Sequence, residues 1–275
     1  MDKKKLLSHG KKAFDMLESA LDSRTKELTR VAAAHGFTYV GRGDQGELAV
    51  EGMLLGIPGN RESNDVVELT GDLSIQVGNN GWKYGPVDND FRPSRRGYIA
   101  VQHRLEVPHM LAVSSGFGAK SVLNVGSAVL RLSVGVLVGG FDPDSPIDSF
   151  GRDSEKLPLP KDSGFKALCE KGRIAAGSEL LTPEALQIMS RLTGSFDIEI
   201  RSGWVLIYSN YGDLVTPDQE TWDWLLSSAS RVIDLLRLWG AGPEWAHGWE
   251  QYAQEWVERP RKLGGTLSPR RWSKD

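Results

Sequence analysis

Polar and apolar positions recur at two different periods along the chain, and the change of period marks out its parts. Over residues 2–35, Leu7, Phe14, Leu17, Leu21, Leu28 and Val31 recur at spacings of three, four or seven. That spacing lines one side of a helix, with Lys and Glu on the other. The predicted helix stops at His35-Gly36-Phe37, where glycine ends the run. The stripe is expected to dock on the domain's own core. As a seam between two paired helices it is interrupted by Gly10 and Arg24.

From Phe37 to about Val113 the period drops to two. "FTYVGRG", "GELAVEGMLLGI", "DVVELTGDLSIQVG" and "GYIAVQHRLEV" are β-branched and partly alternating. Turn formers lie between them at Gly43-Asp44, Pro58-Gly59-Asn60 and Asn79-Asn80-Gly81. Asn80-Gly81 is the strongest hairpin signal, although Trp82, Tyr84 and Pro86 suggest a longer loop. Connections too short for crossover helices predict antiparallel sheet. "VLNVGSAVLRLSVGVLVGGF" fits a helix or two strands, and strands with Gly at the bends are preferred.

A polar, proline-broken loop is expected over 142–164, followed by a helical pattern in "FKALCEKGRIA". "LTPEALQIMSRL" has Thr182 as N-cap, Pro183 at the first helical position and Glu184 in the first turn. "SFDIEIRSGWVLIYSN" reads as a hairpin around Ser202-Gly203, with Ile198, Ile200, Val205 and Ile207 alternating. Asp218 to Trp239 is a second long amphipathic helix that ends at Gly240 and Gly242. A shorter helix is predicted from Pro243 to Glu258, before a tail rich in Arg and Lys.

These elements add up to an α+β fold, with antiparallel sheet covered by the long N-terminal helix and the long C-terminal amphipathic helices. The expected division is an N-terminal helix over 1–36, an α+β domain over 37–240, and a Trp-rich helix with basic tail over 241–275. The middle part reads as one domain or as two β-rich lobes split near 113–140.

Composition narrows the function classes. The chain has 275 residues, 40% of them hydrophobic and 25% charged, which suits a globular protein. A net charge of −3 offers no basic stripe to displace phosphate counterions, so no nucleic-acid partner is expected. No apolar run approaches the ~18 residues of a membrane span. The start lacks a signal peptide's apolar stretch, and the cytoplasm is the expected compartment. Cys169 is the single cysteine, which excludes an internal disulfide and any Cys-pair metal site. It is expected as a small residue near a helix face.

Several stretches invite a chemical reading and fail it. "HMLAVSSGFGAKS" places Lys120 beside Ser121, but Ser114 and Ala119 stand where a phosphate loop needs glycine, so a turn between strands is expected. "DPDSPIDSFGRD" spaces Asp142, Asp144, Asp148 and Asp153 like calcium ligands. Its sixth and twelfth positions are Ile147 and Asp153 rather than Gly and Glu. His9, His35, His103, His109 and His247 include no pair at the spacing of a helical zinc site, and His103 and Glu106 look like residues of one strand with opposed side chains. No G-x-S-x-G elbow occurs. No cofactor and no metal are expected.

The nine tryptophans say more. Trp245, Trp249, Tyr252 and Trp256 follow one another at four, three and four residues, so their rings share one helix face. Such a face packs on its own domain or anchors a partner. Glu244, Glu250, Glu255 and Glu258 along the same helix disfavour a lipid surface. Two function classes stand. One is a non-catalytic cytosolic binding or assembly protein, meeting a protein partner or itself through amphipathic helices. The other is a hydrolase or transferase whose site is assembled from dispersed residues.

The order of "GYIAVQHRLEVPHMLAV", "FDPDSPIDSF", "SELLTPEALQIMSRL" and "FDIEIRSGWVLIYS" before a closing amphipathic helix resembles an uncharacterised, mostly actinobacterial protein family classed as a domain of unknown function. The resemblance spans roughly residues 35–240 and rests on Phe141, Asp142, Leu181, Thr182, Pro183 and Gly203. It implies no assigned activity. Some similar proteins look membrane-tethered through added hydrophobic segments, and this chain carries none.

Overall fold

The computed structural model describes residues 21–41, 48, 50–53, 55, 63–71, 74–82, 94–114, 150, 153–209 and 213–241. Their strands are β1 (Thr38–Gly41), β2 (Ser63–Leu69), β3 (Ile75–Trp82), β4 (Ser94–Gln102), β5 (Met110–Ser114), β6 (Ser154–Lys156), β7 (Phe165–Glu170), β8 (Phe196–Arg201) and β9 (Trp204–Ser209). They form one sheet in the order β1-β2-β3-β4-β9-β8-β5-β7-β6. Every neighbouring pair is antiparallel. With them stand α1 (21–34), α2 (Ile174–Leu180), α3 (Pro183–Leu192) and α4 (Gln219–Leu238). The α+β expectation holds in this coarse sense.

The β8–β9 hairpin separates β4 from β5, which are consecutive in sequence. The linker 103–109 therefore passes round the hairpin's tip. His103 N donates to Gly203 O at 2.9 Å, and the Ser202 hydroxyl donates to Val107 O at 3.1 Å while accepting from Val107 N at 3.3 Å. The sheet centre is thus closed by contacts about a hundred residues apart in sequence, of the kind that slow folding through loop-closure entropy.

One face of the sheet carries the larger core. Ile75, Val77, Ile99, Val101, Ile198, Ile200, Val205 and Ile207 all point there and are fully buried. Helix α4 lies over them with Trp222, Leu225, Leu226, Ala229, Val232, Ile233 and Leu236. Its N-cap Asp218 accepts from Thr221 N at 2.9 Å. Thr182 caps α3 by accepting from Ala185 N. Helix α1 adds Leu28, Val31 and Ala32 to this core, whereas Leu21, on the same stripe, is 39% exposed.

Several elements differ from the expectation. "FKALCEKGRIA" is not one helix: Phe165, Ala167 and Cys169 alternate inward along strand β7, and α2 begins only at Ile174. Alternation at period two outweighed helix propensity, so Cys169 sits on a strand rather than near a helix face. Asn80-Gly81 lies inside β3, paired to Arg96 and Arg95, and makes no tight turn there. Neighbouring Asn79 accepts from Leu214 N and Val215 N and donates to Val215 O, so it pins the approach to α4. The described part of "GELAVEGMLLGI" is not strand, and 103–109 is a linker, so His103 and Glu106 do not share a strand. Strand β6 interrupts the loop expected over 142–164.

Candidate functional site

On the sheet's other face, buried polar side chains form a row across five strands. Glu68 on β2 faces Gln76 on β3, and Gln76 Nε2 donates to Glu68 Oε1 at 2.6 Å. Tyr98 on β4 leans across Gly78 and donates to Gln76 Oε1 at 2.7 Å. A methyl group at Gly78 would strike the Tyr98 ring, so the glycine is what lets the phenol reach the next strand. Tyr98 stands opposite Tyr208 on β9, and Tyr208 donates to Glu199 Oε2 on β8 at 2.6 Å. Glu199 is fully buried.

Residues 48 and 50–53 lie across this row as a strap. Leu48 N donates to Glu68 Oε1 and Leu48 O accepts from Gln76 Nε2. Met53 N donates to Glu199 Oε2 at 2.9 Å. Gly52 rests on the Tyr208 hydroxyl, leaving no room for a side chain. Outside, Arg201 bonds Glu51 at 3.0 Å. Val50, Met53 and Leu55 bury against a smaller core with Leu111, Val113, Phe150, Trp204 and Leu206. Buried carboxyl groups are costly unless donors surround them, and here the strap's own backbone supplies two of those donors.

His109 completes the row. Its Nε2 lies 2.9 Å from Glu199 Oε1, and its ring packs on Phe150 at 4.4 Å. Nε2–H donating to the carboxyl leaves the lone pair on Nδ1, which makes no hydrogen bond among the described residues. The carboxyl orients the ring, which is 23% exposed.

His103 is a different case. Nearly sealed at the hairpin tip, it accepts from Leu105 N through Nδ1 at 3.1 Å, and its Nε2 has no partner among the described residues. Burial lowers its pKa below the usual value of 6.5, against a weaker upward pull from the backbone at Arg201 and Trp204. The unfolded chain then binds a proton the folded chain resists. Stability is whole above pH 6.5 and falls as pH drops through that value towards the lowered folded pKa. His103→Asn, which keeps an acceptor for Leu105 N, is expected to flatten this acid-side loss in urea titrations between pH 7 and about 5. An unchanged slope would mean another group carries it.

Burial also pushes the Cys169 thiol up to about 11, with Glu170 adding to the shift. Such a thiol is a poor nucleophile. Asp65 anchors α1 instead: it accepts from Arg24 at 2.8 Å and from Tyr39 at 3.1 Å, from a backbone with φ of 52°. Arg24, which interrupts the apolar stripe, is thereby an attachment point to the sheet.

Lys120 and Ser121, Asp142, Asp144 and Asp148, and the aromatic face of Trp245, Trp249, Tyr252 and Trp256 lie outside the described residues. Asp153 is exposed and its backbone carbonyl accepts from Lys171 N. Among the described residues no group of three or more His, Cys, Asp or Glu could hold a metal ion. None of their helices is long and apolar enough to cross a membrane.

The pairing of His109 with Glu199 was not anticipated. A signal existed: "WVLIYS" is apolar at every position but the last, so both faces of β9 had to be covered. Covered faces would have marked Glu199 and Tyr208 as buried polar partners.

No family model and no curated protein sequence matches the chain. Among solved structures, the crystal structure of the mycobacterial trehalose monomycolate transport factor A, TtfA, aligns at a TM-score of 0.46 and 11% identity, over 78% of this chain and 94% of that one. At that score the likeness does not establish a common fold.

Proposed function

We propose that the chain is a non-catalytic binding or assembly protein that meets its partner through the N-terminal amphipathic stripe. The observation that carries this reading is the contrast along α1. Leu28, Val31 and Ala32 are buried in the domain, Arg24 is tied to Asp65, and Leu21 beyond that tie is exposed. Leu21 is thus an apolar position of the stripe that its own domain does not cover. The polar row supports the same reading, because Glu199 is committed to His109, Tyr208 and Met53 N and so serves to seal the strap. The aromatic face at Trp245, Trp249, Tyr252 and Trp256 is read, on its spacing alone, as another binding surface.

A second reading, a hydrolase or transferase with a site of dispersed residues, is favoured by one feature: the partly exposed His109 ring held by a buried carboxyl. A broad screen of the full chain for ester, phosphoester and acyl-transfer turnover separates the two. The binding reading expects no turnover that responds to His109→Gln. Turnover lost in that variant at unchanged melting temperature would establish the enzyme.

A further inference from the structure

We propose that the linker 103–109 is an acid-released clasp: a proton on His103 frees it from the β8–β9 hairpin tip while the sheet stays folded. Along the linker Arg104 and Glu106 are exposed, whereas His103 and Val107 are buried and Leu105 packs partly against the larger core. His103 N donates to Gly203 O, and Val107 exchanges two bonds with the Ser202 hydroxyl. Between them, Leu105 N donates to Nδ1 of His103, a side chain of the linker itself. Both ends of the segment are fixed to the sheet. Gln102 N donates to Ser74 O, and His109 O accepts from Glu170 N. Opening between those points leaves the pairing of β4 and β5 with their neighbours intact, as a local unit of low stability does.

The acceptor that holds Leu105 exists only in the neutral ring. Because Nδ1 accepts, the neutral imidazole carries its proton on Nε2. A second proton goes to Nδ1, where it meets the Leu105 N–H. Turning the ring over presents carbon to that amide and restores no acceptor. The imidazolium therefore loses the Leu105 bond in either orientation, and its charge stands in a site only 3% exposed. Opening gives both ring N–H groups and the Leu105 amide to water. The other ionisable groups of the linker and the tip are engaged elsewhere. Arg104 and Glu106 are exposed, Arg201 is held by Glu51 at 3.0 Å, and His109 by Glu199 at 2.9 Å. Burial holds the His103 pKa below 6.5, and no charged side chain contributes to the shift.

Amide hydrogen exchange of the full chain between pH 7 and about 5, corrected for the intrinsic effect of pH, tests this. The Leu105 and Val107 amides are expected to lose up to about tenfold in protection per pH unit below 6.5, as one-proton linkage requires. They should exchange faster than the amides of β4 and β9 throughout. In His103→Asn, checked for folding by circular dichroism, the slope is expected to vanish, because the amide oxygen still accepts from Leu105 N. A nitrogen NMR titration of the wild-type ring reads the trigger independently of any variant. It should show the Nε2–H form at neutral pH and the second proton arriving as the linker amides lose protection. Linker amides that exchange only together with β4 and β9 overturn the local clasp. A wild-type protection that ignores pH, a slope that persists in the folded variant, or a ring that titrates apart from the loss overturns His103 as its trigger.

Discussion

Glu199→Ala is expected to destabilise the protein by about 3 to 5 kcal/mol. The carboxyl accepts from the His109 ring, the Tyr208 hydroxyl and the Met53 amide, all against a fully buried side chain. Its removal strands those donors away from water, at about 1 to 3 kcal/mol for each one left unmade, with partial relaxation. The strap would lose its central anchor, so Val50 and Met53 would loosen with it. For a chain of this length the melting temperature should fall by roughly 6 °C or more. Glu199→Gln keeps an acceptor oxygen and should recover part of the loss. A loss below about 1 kcal/mol for the alanine variant in urea unfolding would mean that the row seals nothing.

The second large effect belongs to Trp222. It is fully buried at the start of α4, stacked on His35 at 5.2 Å with the rings 9° from parallel, and edge-on to Phe37 at 5.7 Å. Its indole nitrogen donates to Thr216 O at 2.7 Å. One side chain thus joins the end of α1, the start of β1 and the loop into α4. Trp222→Ala is expected to cost about 3 to 5 kcal/mol through the cavity it leaves. Amide hydrogen exchange should rise at the C-terminal end of α1 as well as in α4. A loss confined to α4, with α1 protection unchanged, would show that the stack does not couple the two helices.

What the sequence made legible follows from how local each signal was. Helix α4 carries its own cap at Asp218, twenty residues of one period, and Gly240 at its end, so its limits could be read without a partner. The β8–β9 hairpin showed itself the same way, through alternation about Ser202-Gly203. Asn80-Gly81 signalled a real antiparallel pair, β3 with β4, but not where its strand ends: β3 continues to Trp82 while Asn79 finds partners at Leu214 and Val215. Phe165 to Glu170 misled because six residues fit either period, and β5 alongside decided for strand.

The candidate site was the least legible part. His109 and Glu199 are ninety positions apart, and Met53 is 146 from Glu199. Nothing in the spacing of those residues joins them. They meet only because the hairpin inserts between β4 and β5 and the strap folds across it, and both are tertiary choices made by burial.

The account's central claim is that the apolar stripe of α1 is core after Arg24 and leaves Leu21 uncovered by its own domain before it. The most direct test measures unfolding free energy for Leu28→Ala and Leu21→Ala in the full chain. Leu28→Ala should cost about 2 to 5 kcal/mol of stability, because its side chain is wholly buried. Leu21→Ala should leave stability within about 0.5 kcal/mol. Similar losses in both variants would show that Leu21 docks on its own domain as Leu28 does and would contradict the claim.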